Sequence, residues 1–216
     1  MPCRNRYVLS SVGRYRPLPL SFFRRPAEEV ARDLLGRFLV RELARERLVL
    51  RLVEVEAYLG RPDRASHAWD GRRTPRNESL YLPGGHAYVY FIYGMHWCLN
   101  AVTGERDVGS AVLIRAGEPV EGEERMRENR GFVKKVKPGD LAGGPGKLCR
   151  ALAVDRSLDG VLLDQGPLRI TRGEPVEPGE IAAGPRIGVG YAGEAAAWPL
   201  RFAVRGNPHV SKPRMA

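Results

Sequence analysis

From Ser79 to Gly104 the chain contains no Asp, Glu, Lys or Arg at all. In a sequence that is 28% charged, such a stretch belongs in a core, in lipid or against a ligand. Its punctuation argues against lipid. Pro83-Gly84-Gly85 breaks it near the start, and Gly94, His96 and Asn100 interrupt the remainder. The apolar part from Ala87 to Leu99 is shorter than the ~20 residues needed to cross hydrocarbon. Core and ligand wall are left, and the composition discriminates between them. Four of the eight tyrosines lie between Tyr81 and Tyr93. A stripe of this kind often forms core, but a buried tyrosine hydroxyl needs a partner, so a dry core favours Phe and Leu. Gly94, directly after Tyr93, permits a tight turn that pushes its neighbours outward. Rings in such places serve as stacking platforms for bases, at roughly 1–3 kcal/mol per base, or as wedges in a base stack.

The charge balance agrees with a polyanionic partner. Lys+Arg is 35 against Asp+Glu 25, a net charge of +10, and arginine supplies almost all of the excess cation. Arginine is suited to bidentate phosphate contacts and to stacking on planar groups. Five arginines (61, 64, 72, 73 and 76) crowd the segment from 61 to 76 against two aspartates.

That basic segment follows the strand Arg51-Leu-Val-Glu-Val-Glu-Ala-Tyr58. Strict alternation puts Glu54, Glu56 and Tyr58 on one side and Val53, Val55 and Ala57 on the other. Two carboxylates about 6.6 Å apart along a strand are commonly a solvent face. Here they lead into the arginine-rich loop containing His67, which makes Glu56 a candidate to deprotonate a water beside an anion-docking site.

The remaining punctuation predicts one domain of the α+β class. Its centre is a mixed, largely antiparallel sheet with flanking helices and a protruding β-hairpin, since no βαβ alternation appears. Residues 1–19 form a basic arm and 20–211 the domain. Pro26 opens a helix with Glu28 and Glu29 in its first turn, Val30 and Leu34 on one face, and Gly36 at its end. Strands are expected at 37–41, 48–58, 87–93, 110–116, 161–164, 168–171, 186–190 and 201–204, and helices near 119–130 and after Pro145. Residues 131–144, with three lysines and five glycines or prolines, read as a flexible excursion.

Three cysteines without a CxxC pair fit neither a disulfide framework nor a structural zinc site; they suit the cytoplasm. The N-terminus lacks the uninterrupted apolar core of a secretory signal. His96 and Cys98 have no second ligand pair, the glycines of Gly184–Gly190 lack a Walker lysine, and no Ser-His-Asp pattern is present.

Several segments together resemble the alkyladenine (3-methyladenine) DNA glycosylase family. They are Val53-Glu-Val-Glu-Ala-Tyr-Leu-Gly60, His67, Arg73-Thr-Pro-Arg-Asn77 and Tyr88-Val-Tyr-Phe-Ile-Tyr-Gly-Met95. Further along come Val112-Leu-Ile-Arg-Ala116 with Glu118-Pro119, Gly144-Pro-Gly-Lys-Leu-Cys149, Arg186-Ile-Gly-Val-Gly190 and Pro199-Leu-Arg-Phe202. The resemblance runs in order from about Leu20 to Ser211. It implies excision of alkylated or deaminated purines (3-methyladenine, 7-methylguanine, hypoxanthine, ethenoadenine) from double-stranded DNA by a monomer. It implies no metal, no cofactor and no membrane.

By resemblance, Glu56 matches the general base, with Arg115 and the main-chain carbonyl of Ile187 holding the attacking water. Tyr58, His67 and Tyr90 match the walls around the everted purine, and Asn100 the group whose bulk discourages guanine's exocyclic amine. Leu113 lines the same pocket, and main-chain amides from Ala65 to His67 are expected to assist neutral leaving groups. Tyr93 matches the residue intercalated in the duplex; Met95, His96, Arg72, Arg73, Thr74, Arg76 and Gly188 are expected at the DNA. Two rival readings are a bifunctional glycosylase/lyase using the amine of Pro2 and a basic nucleic-acid- or damage-binding module without turnover.

Overall fold

A computed structural model describes residues 15–134 and 136–214. Residues 1–14, and with them Pro2 and most of the expected basic arm, lie outside the described residues. The chain runs α1 (Leu20–Phe23), α2 (Ala27–Leu34), β1 (Phe38–Glu42), β2 (Arg47–Tyr58), β3 (Ala87–Ile92), β4 (His96–Thr103) and β5 (Ser110–Glu121). It continues through α3 (Glu123–Arg130), α4 (Pro145–Ala151), β6 (Leu168–Thr171), β7 (Ile181–Gly184) and β8 (Arg201–Val204), with short 3₁₀ turns between.

The eight strands form one sheet, in the order β3-β4-β5-β2-β1-β6, with β8 joining β2 and β7 joining β8. Every pairing among the described strands is antiparallel. The α+β class and the antiparallel sheet follow expectation, and β3–β4 is the hairpin at the sheet edge.

β2 occupies the centre. Its first half pairs with β1 and its second half, Glu54–Glu56, with β8, while β5 covers the other edge. Nine of the twelve residues of β2 are buried, on both faces, unlike a half-solvated strand. α2 packs on β2 and β5, and α4 on β4 and β5. Pro26 precedes α2, Glu28 and Glu29 sit in its first turn, and Ala27, Val30, Ala31 and Leu34 are buried.

The simple alternation expected of β2 fails at one point. Leu50 and Leu52 enter the main core, and so do Val55 and Ala57, but Val53 joins a separate cluster with Ala116, Ala203 and Val210. The cause is a pair of opposed bulges: register shifts fall between Leu52 and Glu54 and between Glu54 and Val55. Each inserts an unpaired residue, Val53 on β2 and Arg115 on β5. Val53 thus does not share a face with Val55 and Ala57.

Other differences have similarly local causes. β4, the second strand of the hairpin, is absent from the expected strands; His96 and Asn100, which interrupt its apolar run, alternate with core residues such as Leu99 and Ala101. β5 extends to Glu121, displacing the start of the charged helix to Glu123. Residues 161–164 are no strand; Leu162 makes only an isolated bridge to His86. Residues 186–190 are irregular, with Gly188 at φ 78°, and the strand lies instead at Ile181–Gly184, whose Ala-Ala-Gly has little β-propensity. The described residues of 131–144 include no helix or strand, yet Leu141 and Ala142 are buried and Gly143 bridges to Ala116.

Candidate active site

Glu56 is fully buried where β2 lies between β5 and β8. Its carboxylate accepts a hydrogen bond at Oε2 from the Tyr58 hydroxyl (2.9 Å) and one at Oε1 from the main-chain amide of Ile187 (2.8 Å). Arg115 Nη1 stands 3.3 Å from Oε1. Burial raises the Glu56 pKa above the usual carboxylate range; Arg115, the Ile187 amide and Tyr58 pull it down, and Glu54 pushes it up. Tyr58 is pushed well above the ordinary tyrosine value, first by burial and then by the Glu56 charge. Arg115 is raised, because attraction to Glu56 and Glu54 outweighs its desolvation.

The three groups that hold Glu56, namely Tyr58, Arg115 and Ile187, line a cavity of about 420 Å³. That is within the usual range for ligand sites, about 300–1,000 Å³. Ala65, His67, Tyr90, Asn100, Leu113, Tyr93, His96 and Gly188 line it too. The wall follows strand period two: Tyr88 pairs with Asn100 and Tyr90 with Cys98 on one face of the hairpin, with Leu113 opposite Asn100 on β5. Val89 and Leu99, on the other face, enter the core. Asn100 Nδ2 donates to the Tyr88 carbonyl (3.0 Å). His67 Nδ1 lies 2.8 Å from the Tyr88 hydroxyl, and the His67 ring stands edge-on to Tyr90 at 4.6 Å between centroids. Burial lowers the His67 pKa, with Arg76 and Arg72 adding to the effect, so the imidazole is neutral near pH 7.

At the rim, Tyr93 sits at φ 54° and Gly94 at φ 66°, and the Met95 amide donates to the Ile92 carbonyl (3.2 Å). Two successive positive φ values are what primed hairpin turns require, and a tyrosine accepts one of them here at a cost of about 1–2 kcal/mol. Tyr93 is 77% exposed and Met95 66%. His96 packs over Gly146 so closely that a Cβ there would meet its ring at 2.9 Å.

A second cavity adjoins the first and shares His67, Tyr88, Tyr90 and Tyr191 with it. Arg64, Trp69, Arg72, Thr74 and Arg76 line it, with the Arg64 guanidinium 5.2 Å from the Trp69 ring. Arg73 does not join them. Its guanidinium is bound by Glu78 and Asp107 and lies over the Tyr81 ring.

Ile187 meets Glu56 through its amide, since a carboxylate is an acceptor and must be met by a donor, and the expectation that its carbonyl holds a water is untouched by this. One further expectation changes. The amides of Ala65 and Ser66 are already committed to Asp63, which leaves only that of His67 from the expected set.

Sequence reasoning missed the buried supports. Asp63 and Arg186 form a two-point ion pair whose side chains are both fully buried; Arg186 also donates to the carbonyls of Ala57 (2.9 Å) and Ala195 (3.1 Å) and lies 4.7 Å from the Tyr58 ring. Tyr88, the partner of His67, could have been found from its i, i+2 spacing to Tyr90. Among the described residues no cluster of three or more His, Cys, Asp or Glu is arranged to hold a metal ion, and no helix is long and apolar enough to cross a membrane.

Comparison with known proteins agrees with the site. The methylpurine-DNA glycosylase family matches residues 21–208. A Methanocella arvoryzae protein provisionally named a 3-methyladenine DNA glycosylase is 51% identical, over 90% of this chain and 96% of its own. The DNA-3-methyladenine glycosylase of Homo sapiens is 46% identical, over 97% of this chain and 73% of its own. A family match over most of the chain, with relatives at this identity, shows that the chain belongs to the methylpurine-DNA glycosylase family and is a DNA glycosylase.

Proposed function

We propose that the protein is a monofunctional glycosylase of base excision repair. It everts an alkylated or deaminated purine nucleotide into the 420 Å³ cavity and hydrolyses the N-glycosidic bond with a water activated by Glu56. The observation that carries this reading is the wholly buried Glu56 carboxylate, held by three cavity-lining groups. A base works best with a pKa near the operating pH, and burial moves Glu56 in that direction.

Eversion costs a few kcal/mol of unstacking. Tyr93, exposed at the hairpin tip beside Met95, fills the gap left in the duplex, while Tyr58, Tyr90 and His67 enclose the purine. One carboxylate and one water give direct displacement, with inversion at the sugar carbon and no covalent intermediate. Arg115 and the Ile187 main chain orient the water. Cationic 3-methyladenine and 7-methylguanine are good leaving groups and stack favourably on tyrosine faces. Hypoxanthine and ethenoadenine are neutral and take a hydrogen bond from the His67 amide. Asn100 and Leu113 shape the floor against guanine's amine. Arg72, Arg76 and Thr74, with His96 and Gly188, meet the duplex. The 20–211 unit works as a monomer on double-stranded DNA in the cytoplasm, without cofactor.

Single-turnover excision from lesion-bearing duplexes tests this. The protein is expected to release free base, and Glu56→Gln to lose on the order of 10²–10⁴ in rate with lesion-DNA binding retained. Unchanged excision by Glu56→Gln, or no base released by the unmodified protein, overturns the reading.

A further inference from the structure

Among the described residues three carboxylates are buried: Glu56, Asp63 and Glu54. Glu54 lies two residues before Glu56 on β2; neither carboxylate lines the cavity itself, but Arg115, which does, reaches both. Four donors converge on Glu54: Arg115 Nε (3.2 Å), Arg201 Nε (2.7 Å) and Ser211 Oγ (2.9 Å) at Oε1, and the Ser211 amide (2.7 Å) at Oε2. Arg201 in turn donates to the carbonyls of Ser211 (3.3 Å) and Pro213 (2.8 Å). The C-terminal segment is thereby tied beneath the site.

Arg115 is the shared element, with Nε on Glu54 and Nη1 facing Glu56. A guanidinium offered a single carboxylate tends to close on it through two parallel bonds. Tyr58 already donates to Oε2 of Glu56 and the Ile187 amide to Oε1, so such a pair would fill the acceptor position left on Oε2 and make Glu56 a poor base. Dividing the fork between two acids prevents this, and Arg201 balances the second negative charge. The bulge that leaves Arg115 unpaired on β5 aims its side chain between the two carboxylates.

We infer that Glu54 is a positioning residue: anchored by Arg201 and Ser211, it holds Arg115 through Nε and keeps Arg115 from closing on Glu56, so that Glu56 stays available to a water. The inference rests on the general-base reading of Glu56. Removing the Glu54 charge, and letting Arg115 close, both lower the Glu56 pKa, so the acid limb of the rate profile should move to lower pH while the rate falls.

The test is single-turnover excision against pH for Glu54→Gln, Ser211→Ala, Ser211→Thr and Glu56→Gln, with lesion-duplex Kd and thermal midpoint measured in parallel. Glu54→Gln is expected to slow excision on the order of 10- to 100-fold, with the acid limb at lower pH and Kd unchanged. Ser211→Ala removes one donor and should show a smaller loss with a shift in the same direction; Ser211→Thr keeps the hydroxyl and should restore the rate. A loss with an unmoved acid limb would make Glu54 purely structural and overturn the proposal, as would unaltered kinetics. If Glu54→Gln does not fold, the Ser211 pair decides by the same two criteria. An active Glu56→Gln would sink the general-base reading itself, whereas an inactive one beside an indifferent Glu54→Gln sinks only this proposal.

Discussion

The Ile187 amide donates to Glu56 Oε1 at 2.8 Å across 131 residues of chain. The bond joins an irregular, glycine-containing segment to the central strand, and it stabilises the ionised carboxylate in a place where burial opposes ionisation.

That balance makes stability pH-dependent with a definite sign. A carboxyl whose folded pKa is raised binds its proton more tightly in the folded state, so ionised Glu56 costs stability above its folded pKa and the cost vanishes below the unfolded value. Glu56→Gln is therefore expected to melt no lower than the unmodified protein near neutral pH and to lose that advantage as the pH falls. Calorimetry at two pH values checks it; a variant relatively more stable in acid contradicts the assignment.

Excision has the complementary dependence. The base must be ionised, so the rate should fall as pH drops through the raised Glu56 pKa, at higher pH than an exposed glutamate would give. A profile flat down to the ordinary carboxylate range would show that Glu56 does not titrate in the reaction.

Tyr93 adopts a strained φ of 54° while 77% exposed, so its ring is not retained for packing. Tyr93→Ala should change stability by no more than about 0.5 kcal/mol. Excision should slow more for stably paired lesions than for mismatched ones, because the variant no longer fills the gap. Equal losses on both substrates would mean that the ring does not act on the extruded state.

Asp63→Ala would leave Arg186 buried without its counter-charge and is expected to cost about 3–5 kcal/mol, on the order of 10 °C in Tm for a chain of this size. Arg186 also lies over Tyr58, so cavity geometry should loosen too. A melting point within a degree or two of the parent would mean that the pair is dispensable.

The arginines should separate in salt titrations of DNA affinity. Each phosphate contact contributes about −0.9 to the log–log slope. Arg64→Ala, Arg72→Ala and Arg76→Ala should each flatten the slope by about one unit, whereas Arg73→Ala, already neutralised by Glu78 and Asp107, should not. An effect confined to Arg73 would invert this assignment.

Much of this was legible locally. The charge-free stretch foretold a buried or ligand-lining segment; Tyr88 and Tyr90 prove to be wall, with Val89 between them in the core, because period two depends only on the strand itself. Pro26, Glu28 and Glu29 foretold α2 for the same reason. What local pattern could not contain was long-range pairing. The opposed bulges at Val53 and Arg115 depend on β5 and β8 arriving beside β2. The Asp63–Arg186 pair spans 123 residues and the Ser211–Glu54 bonds 157. The fate of Arg73 likewise turned on Asp107, 34 residues away. The sequence determined most of the elements, the faces of regular strands such as β3, and which residue types could do chemistry. Only the tertiary structure decided which charges were buried and paired, since desolvation and counter-charges are set by neighbours brought together in the fold.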